Sequence, residues 1–200
     1  SHIVIGRGLT REARKRGIPV VATNHVMAEN ILDFTTLPPA LHDVFVKWAW
    51  SDAKRTFDMT RAVTTPTRKA ADFLESTIDV GPVIPISCGI DRSNYTPDLS
   101  PRTSNRILFV GRLTSEKGID VVLRAIAQLD PALEATFDIV GSGDQRKHLE
   151  QLTHQLGLED KVTFHGHTSE EELRSLYSQA SVFAIASIAE LQSIATMEAM

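Results

Sequence analysis

Two carboxylates near the end of the chain are spaced to bind a ligand that carries hydroxyl groups. Glu190 and Glu198 stand eight positions apart, after the apolar segment 181–187 and around a predicted helix start near Ser193. Because eight residues make about two helical turns, both side chains are expected to face one crevice. Carboxylates accept hydrogen bonds from hydroxyls, and the free N–H groups of a helix start favour phosphate. A nucleotide sugar carries both kinds of group.

The turn after the apolar segment 107–110 carries two cations. Gly111 allows a tight turn, and Arg112 and Lys117 flank that turn, so both can converge on one anion. A planar guanidinium and a compact ammonium are a suitable pair for a diphosphate. The alternative is that both side chains lie in solvent, with Glu116 as an ion-pair partner. If the turn and the carboxylate pair share one sheet edge, ligand binding is the favoured interpretation.

Three weaker patterns leave alternatives open. The Gly141-Ser-Gly143 turn lacks the third glycine of a dinucleotide fingerprint, so it either lets the backbone approach a nucleotide or is a plain tight turn. His25 directly follows a predicted strand and either contacts a sugar hydroxyl or is satisfied by nearby backbone. His165 and His167 share one face of a predicted strand, but no Cys or carboxylate completes a ligand set, so no metal site is expected.

Short apolar strands alternate with amphipathic helices along the whole chain. The predicted strands are 18–23, 62–65, 83–86, 107–110, 136–140, 162–164 and 182–186. The predicted helices are 8–16, 41–59, 67–75, 116–129, 145–156, 169–180 and one starting at 193. In the second helix, Val44, Trp48, Ala53 and Phe57 are predicted to form one apolar face. This alternation predicts an α/β fold with parallel sheets covered on both faces.

Residues 89–105 differ in composition from the rest and are predicted to be an interdomain linker. Gly, Pro, Ser, Asn and Asp dominate this segment. It separates residues 1–88 from residues 106–200, each of which has its own strand and helix pattern. Two such sheets across a linker create a crevice at the carboxyl ends of their strands. Both ends of the chain have the character of cuts within a longer protein.

Composition excludes several classes of protein. The chain is 42% apolar and 23% charged, which is ordinary for a globular protein, and no apolar run approaches the roughly 18 residues of a membrane helix. The single Cys88 excludes an internal disulfide and fits a reducing compartment. A net charge of −4 does not indicate nucleic-acid binding.

The charge is unevenly distributed along the chain. Residues 1–78 carry 11 Lys and Arg against 8 Asp and Glu, whereas residues 79–200 carry 10 against 17. The basic half either faces an anionic partner such as a membrane surface or reflects ordinary variation of surface charge.

Taken together, these motifs resemble those of the retaining family-4 glycosyltransferases with the GT-B fold. Glu190 and Glu198 meet the Glu-x7-Glu pattern of the family, and His25 meets its strand-end histidine. The Gly-Arg-Leu…Glu-Lys-Gly turn is met by Gly111, Arg112, Leu113, Glu116, Lys117 and Gly118. The start of the linker, usually Asn-Gly-Ile-Asp, appears here as Cys88-Gly89-Ile90-Asp91. The resemblance covers the whole chain. It implies two incomplete Rossmann-like domains: the second half of the N-terminal acceptor-side domain in 1–88, and the first half of the C-terminal nucleotide-sugar-binding domain in 106–200.

The resemblance also implies an activity and a set of site residues. A hexose would pass from a UDP- or GDP-sugar to a hydroxyl acceptor, with retention and without a firmly identified protein nucleophile. The implied catalytic residues are His25, Arg112, Lys117 and Glu190. The implied donor-binding residues are Gly111, Arg112, Lys117, Gly141, Gly143, Gly166, His167, Thr168, Glu190, Gln192, Ser193, Ile194 and Glu198. The nucleotide sugar is a substrate, so neither a cofactor nor a metal is implied.

These residues have individual roles in the resemblance. Arg112 and Lys117 would hold the diphosphate, while Glu190 and His25 would contact the donor sugar from opposite domains. Glu198 would bind the ribose, and the loop from Gly166 to Thr168 would border the base.

The chain departs from the family pattern after its first glutamate. The usual Glu-Gly-Phe-Gly is replaced by Glu190-Leu-Gln-Ser193. Ser193, at a helix N-cap, can still bind phosphate. With the run 24–29, this variant is most similar to the subgroup that acts on lipid acceptors such as diacylglycerol. That likeness implies a cytoplasmic enzyme, peripheral on the membrane through its N-terminal half.

Three alternatives within the fold remain: a sugar-nucleotide epimerase, a synthase with a phosphosugar acceptor, and a non-catalytic nucleotide-binding module. A nicotinamide-dependent oxidoreductase would need the third glycine that is missing after Gly143.

Overall fold

A computed structural model of the chain describes residues 6–27, 37–95, 100 and 104–200. The chain divides into two compact units, Ser1–Cys88 and Gly89–Met200. The division falls where the predicted linker 89–105 begins. The described part of that linker contains a 3-10 turn over Arg92–Asn94, in which Asp91 accepts a hydrogen bond from the Ser93 N–H at 3.0 Å.

The first unit contains a parallel sheet of three strands in the order β1-β2-β3. Its elements are α1 (Arg7–Lys15), β1 (Val21–Thr23), α2 (His42–Phe57), β2 (Ala62–Thr65), α3 (Arg68–Thr77) and β3 (Val83–Pro85). Thr67, the first residue of the predicted helix 67–75, is the N-cap of α3, since its hydroxyl accepts a hydrogen bond from the Ala70 N–H at 3.1 Å. The sequence pattern also predicts an irregular segment over 28–39, most of which lies outside the described residues.

The buried face of α2 is only partly the predicted one. Ala53 and Phe57 are buried with Trp50, whose ring meets Phe73 of α3 edge-on at a centroid distance of 6.0 Å. Val44 and Trp48, however, are 63% and 50% exposed, so their assignment to this face was wrong. At about 100° per residue, Val44 and Ala53 lie half a turn apart around the helix, and one sheet cannot cover both.

The second unit contains a parallel sheet of four strands in the order β6-β5-β4-β7. Its elements are β4 (Arg106–Val110), α4 (Ile119–Ile126), β5 (Thr136–Val140), α5 (Arg146–Gln155), β6 (Val162–Gly166), α6 (Glu170–Gln179), β7 (Val182–Phe183) and α7 (Ile194–Ala199). Because the strands are parallel, their carboxyl ends, and the loops that follow them, lie at one edge of the sheet.

Both faces of this sheet are covered, as the alternation of strands and helices predicted. On one face Phe109, Phe137 and Ile139 are fully buried with residues of α4 and α5, and on the other face Leu108 packs with Leu176 of α6. The strands also bury one carboxylate, Asp138. One of its oxygens lies 2.6 Å from His165 Nε2. The other lies 2.8 Å from Arg106 Nε but makes no hydrogen bond in the described part of the chain, so the loss of water is only partly compensated.

Several elements are shorter than predicted. The predicted helix 116–129 is a 3-10 turn over Ser115–Lys117 followed by α4, because Gly118 between them adopts a left-handed conformation with φ 62°. A Cβ at Gly118 would stand 2.4 Å from the carbonyl oxygen of Ala186, so only glycine fits there. β1 and β7 are also shorter than the predicted 18–23 and 182–186. None of the helices in the described part of the chain combines the length and apolar character needed to cross a bilayer.

Candidate active site at the carboxyl edge of the second sheet

Main-chain hydrogen bonds join the loops that follow the strands of the second sheet. The Leu113 N–H after β4 donates to the Ser142 carbonyl oxygen after β5 at 2.9 Å. The Gly141 N–H in turn donates to the carbonyl oxygen of Gly166 at the end of β6 at 2.7 Å. These main-chain hydrogen bonds restrict the movement of the loops relative to one another, so the loops form a rigid support for the side chains that they carry.

The Gly141-Ser-Gly143 turn is required by the close approach of two of these loops. A Cβ at Gly141 would stand 1.9 Å from the Gly111 carbonyl oxygen, and one at Gly143 would stand 2.2 Å from that of Leu113. The close packing of these loops therefore explains both glycines without a bound ligand. Their predicted contact with a nucleotide stays a prediction.

A cavity of about 200 Å³ opens at this edge of the sheet. It is lined by Val110, Gly111, Arg112, Lys117, Ile185, Glu190, Gln192, Ser193, Ile194 and Ala195. The structure thus brings the predicted cationic turn and the first predicted carboxylate together in one cavity. Sequence analysis missed the lining residues Val110, Ile185 and Ala195, because an apolar side chain carries no chemical signal of its own.

Lys117 and Glu190 form an ion pair within this cavity. Lys117 Nζ lies 2.5 Å from Glu190 Oε1, and the Ser187 hydroxyl donates to the same oxygen at 2.9 Å. The two charged side chains are only 15% and 28% exposed, so solvent screens their attraction less than at an open surface. Ser187 was not predicted as a site residue, although it ends the apolar segment that precedes Glu190.

Arg112 pairs with Glu116, as the solvent alternative allowed, but Glu116 itself is buried. Arg112 Nη2 lies 3.3 Å from Glu116 Oε1, and the two side chains are 69% and 6% exposed. The other carboxylate oxygen of Glu116 has no hydrogen-bond partner in the described part of the chain. The backbone oxygen of Glu116 accepts from the Ile188 N–H at 3.0 Å, which ties the cationic turn to the loop of Glu190. Sequence analysis named Glu116 as a possible ion-pair partner and as part of the Glu-Lys-Gly motif, but it did not predict that Glu116 is buried.

Ser193 is the N-cap of α7, as predicted. Its hydroxyl oxygen accepts from the Thr196 N–H at 3.2 Å and from the Thr196 hydroxyl at 2.8 Å. Gln192, the residue before it, lines the cavity, and its side-chain nitrogen lies 3.3 Å from the sulfur of Met197.

Glu198 does not share the cavity with Glu190. Its carboxylate accepts a hydrogen bond from the Tyr177 hydroxyl of α6 at 2.9 Å, and Glu198 is absent from the cavity lining. Glu190 precedes the helix that carries Glu198, so helical spacing does not relate the two residues, and their common crevice stays a prediction. The assignment of Glu198 to the ribose stays a prediction.

Two tyrosines surround the Glu198 carboxylate. Tyr95 meets Tyr177 edge-on at a centroid distance of 6.3 Å. Burial, together with the hydrogen bond and negative charge of Glu198, raises the pKa of Tyr177 above its ordinary value and that of Tyr95 to about 12. Both phenols therefore stay protonated at neutral pH and can donate to Glu198.

The loop from Gly166 to Thr168, predicted to border the base, follows the neighbouring strand β6. His167 Nε2 lies 2.8 Å from the Ser142 hydroxyl, so the loops after β5 and β6 also touch through side chains. Neither loop lines the cavity. Within the described ranges, no group of three or more His, Cys, Asp and Glu residues is arranged to hold a metal ion.

His25 lies in the first unit, at the carboxyl end of β1. Its side chain is exposed, next to the buried Asn24, whose N–H donates to the Thr64 carbonyl oxygen at 2.8 Å. A strand-end loop is where open parallel sheets bind ligands, and the contact of His25 with a donor sugar stays a prediction.

The two parallel sheets and the charged strand-edge cavity define a protein of the GT-B class, and comparison with known families agrees. Residues 93–200 match the model of the glycosyl transferases group 1 family, and residues 1–94 match that of Glycosyltransferase Family 4. The chain belongs to the glycosyl transferases group 1 family.

Individual relatives support this membership. An uncharacterized glycosyltransferase of Methanocaldococcus jannaschii is 45% identical over 94 residues, which is 47% of this chain and 24% of that protein. The 2-deoxystreptamine glucosyltransferase of Streptomyces kanamyceticus is 27% identical over 203 residues, which is 94% of this chain and 52% of that protein. A GDP-mannose-dependent phosphatidylinositol monomannoside mannosyltransferase of Mycobacterium tuberculosis is 30% identical over 48% of this chain and 28% of its own length.

Solved structures show the same fold. Sucrose-phosphate synthase from Thermosynechococcus elongatus has a TM-score of 0.75 at 23% identity, over 91% of this chain and 48% of that chain. Anabaena HepE, solved with UDP and glucose, has a TM-score of 0.74 at 21% identity, over 98% of this chain and 53% of that chain. The chain thus spans at most about half the length of these proteins.

Proposed function

We propose that the protein is a glycosyltransferase that moves a hexose from a UDP- or GDP-sugar to a hydroxyl acceptor. The observation that carries this proposal is the shared cavity of Arg112, Lys117 and Glu190. The two cations would neutralise the diphosphate as it leaves, and the carboxylate would accept hydrogen bonds from sugar hydroxyls. Because these side chains are held by rigid loops, little reorganisation would be needed during the reaction. Membership of the family supports the same conclusion.

Calorimetric titration of the whole protein with UDP, GDP and ADP, each beside its nucleoside monophosphate, tests the donor site. We expect the protein to bind the nucleotides of one base. The nucleoside diphosphate of that base should bind more tightly than the monophosphate, because Arg112 and Lys117 would recognise the second phosphate. Equal affinity for both phosphate forms would contradict the assigned role of the cations. No binding of any of these nucleotides would contradict the proposal as a whole.

We further propose that transfer retains the anomeric configuration and releases a glycosylated acceptor. The family resemblance is the support for retention. The configuration of the product, read from the NMR coupling of its anomeric proton, tests this point. A product with inverted anomeric configuration would contradict retention. An epimerised nucleotide sugar would indicate an epimerase, and nucleotide binding without any product would indicate a non-catalytic module.

The reaction is proposed to need no metal ion. The support is that Arg112 and Lys117 line one cavity, where their two positive charges would balance the diphosphate in place of a divalent cation. Activity should therefore be the same in excess EDTA as in buffer with added magnesium. A loss in EDTA that magnesium or manganese restores would contradict this proposal.

For the acceptor, we propose a lipid such as diacylglycerol. The support is the Leu-Gln-Ser variant after Glu190, the basic character of residues 1–78, and a relative whose name includes phosphatidylinositol. An enzyme with such an acceptor would work in the cytoplasm at a membrane surface. Radiolabelled donor with diacylglycerol vesicles, and separately with soluble sugars and aminocyclitols, separates the possibilities. Transfer to the soluble acceptors alone would remove the lipid proposal.

A further inference from the structure

Within the cavity, the ion pair of Lys117 and Glu190 lies where the proposed donor diphosphate would bind. We infer that Glu190 and the diphosphate compete for Lys117, so that Glu190 selects nucleotide sugar over free nucleoside diphosphate. This inference rests on the proposed function and deepens it, because it assigns a specificity role to a residue of the same site.

The geometry favours competition over simultaneous binding. Lys117 Nζ is 2.5 Å from Glu190 Oε1, and both side chains line the cavity. A phosphate oxygen that reached the same ammonium would lie close to the carboxylate, and two anions in a partly desolvated cavity repel each other strongly. Binding of a diphosphate to Lys117 therefore requires Glu190 to move away or to remain at an energetic cost.

The second ion pair of the site behaves differently. Glu116 pairs with Arg112 from a buried position and is not a lining residue, so it cannot meet the ligand directly. Glu190, by contrast, is 28% exposed and extends from a loop into the cavity. Of these two carboxylates, only Glu190 can leave its cation and bind a group of the ligand instead.

The ligand itself decides whether this exchange is favourable. The sugar of a nucleotide sugar offers hydroxyl donors, so a carboxylate that leaves Lys117 finds new hydrogen bonds. A free nucleoside diphosphate offers no such hydroxyls at that position, and the displaced carboxylate stays beside an anion. After transfer, the ion pair re-forms and assists the departure of the nucleoside diphosphate product.

The test measures binding of inorganic pyrophosphate and of UDP, GDP and ADP to the whole protein by calorimetry. We expect Glu190→Gln, which keeps the side-chain volume and removes the charge, to tighten binding of pyrophosphate and of the cognate diphosphate by about 3- to 10-fold. Binding of the cognate nucleotide sugar should not tighten, so the ratio of the two affinities falls. In turnover assays, inhibition by the nucleoside diphosphate product should strengthen by the same factor.

A matched control separates the local effect from net charge. Glu170→Gln removes the same charge from α6, where Glu170 is paired with Arg174 and 88% exposed, and should leave all these affinities unchanged. Ser187→Ala keeps every charge but removes the hydrogen bond that holds Glu190 on Lys117. This variant should tighten diphosphate binding in the same direction by about 2-fold, and it provides the test if Glu190→Gln does not fold.

The outcomes distinguish this inference from the proposed function. If the unmodified protein binds a nucleoside diphosphate and Glu190→Gln binds it no more tightly, the competition is overturned and the proposed function stands. If Glu190→Gln tightens diphosphate and nucleotide sugar equally, the specificity role is overturned. If the unmodified protein binds none of the nucleotides, the proposed function fails and this inference fails with it.

Discussion

At the scale of single residues, the charges of the candidate site come in pairs. Lys117 and Glu190 pair within the cavity, and Arg112 pairs with the buried Glu116. Each pair combines a cation suited to phosphate with a carboxylate that holds it in place. Removal of either member should therefore affect binding and turnover more than folding, and two predictions separate these effects.

Replacement of Arg112 or Lys117 by Ala should lower kcat by about 100- to 1,000-fold, the usual cost of removing one donor that stabilises developing charge. The physical reason is that each cation would balance the charge of the leaving diphosphate. Steady-state kinetics of the whole protein measure this effect. Lys147→Ala, which removes an exposed lysine of α5, is the control and should keep full activity. Full turnover in both site variants would refute the assignment.

Glu116→Gln should lower kcat by about 10-fold without lowering the melting temperature. The carboxylate is buried with one oxygen that has no hydrogen-bond partner among the described residues, so its charge costs stability while it orients Arg112. The neutral amide relieves that cost but releases the guanidinium. Thermal melting and kinetics of the same sample provide the measurement. A lower melting temperature with unchanged kcat would show that Glu116 serves the fold alone.

At the scale of elements, close contacts between loops decide which residues are allowed. The loops after β4 and β5 touch so closely that Gly141 has no room for a side chain. Helix α2 shows the opposite situation, since one side is buried against the first sheet while Trp48 on the other side is half exposed. Substitutions at tight and open positions of the same element type should therefore have very different costs.

Gly141→Ala should destabilise the second unit by about 2–4 kcal/mol, because the new Cβ would meet the Gly111 carbonyl oxygen at 1.9 Å. Gly157→Ala is the matched control in the same unit, with φ 66° and no atom within 4 Å of the added Cβ. It should cost only about 1 kcal/mol, from the left-handed backbone alone. Urea unfolding of both variants gives the comparison, and equal losses would refute the steric explanation.

Trp50→Ala should destabilise the first unit by about 3–5 kcal/mol, whereas Trp48→Ala should change its stability by less than about 0.5 kcal/mol. Trp50 is 6% exposed and packs on Phe73, while Trp48 is 50% exposed on the other side of α2. Both substitutions remove the same side chain from the same helix, so each controls for the other. Similar losses of stability would contradict the observed orientation of α2.

At the scale of the whole molecule, the distribution of charge sets how the protein meets other surfaces. Residues 1–78 carry three more Lys and Arg than Asp and Glu, and residues 79–200 carry seven fewer. A bilayer that contains anionic lipid would attract the first region and repel the second. Exposed apolar side chains of the first unit, such as Val44 and Trp48, would add apolar contact to this attraction.

The protein should therefore bind vesicles of mixed phosphatidylglycerol and phosphatidylcholine more tightly than vesicles of phosphatidylcholine alone. Raising the salt from 0.1 to 1 M should weaken this binding, because the screening length falls from about 10 Å to about 3 Å. Co-sedimentation measures the bound fraction. Equal binding to both kinds of vesicle, or none to either, would remove the proposed membrane contact.

Local patterns in the sequence determined a large part of this protein. Alternating apolar and amphipathic segments predicted the parallel sheets, and turn chemistry located Gly111, Arg112 and Lys117 at a strand end. These features depend on residues that are close in sequence. The predicted family membership also followed from such short motifs.

Only the tertiary structure decided which side chains meet. Lys117 and Glu190 are 73 positions apart, and their ion pair depends on the order of β4 and β7 in the sheet. Long-range packing likewise buried Glu116 and placed Glu198 on Tyr177 instead of in the cavity. Spacing along the chain carries no information about such contacts, since the direction of a side chain is set by the elements that pack around it.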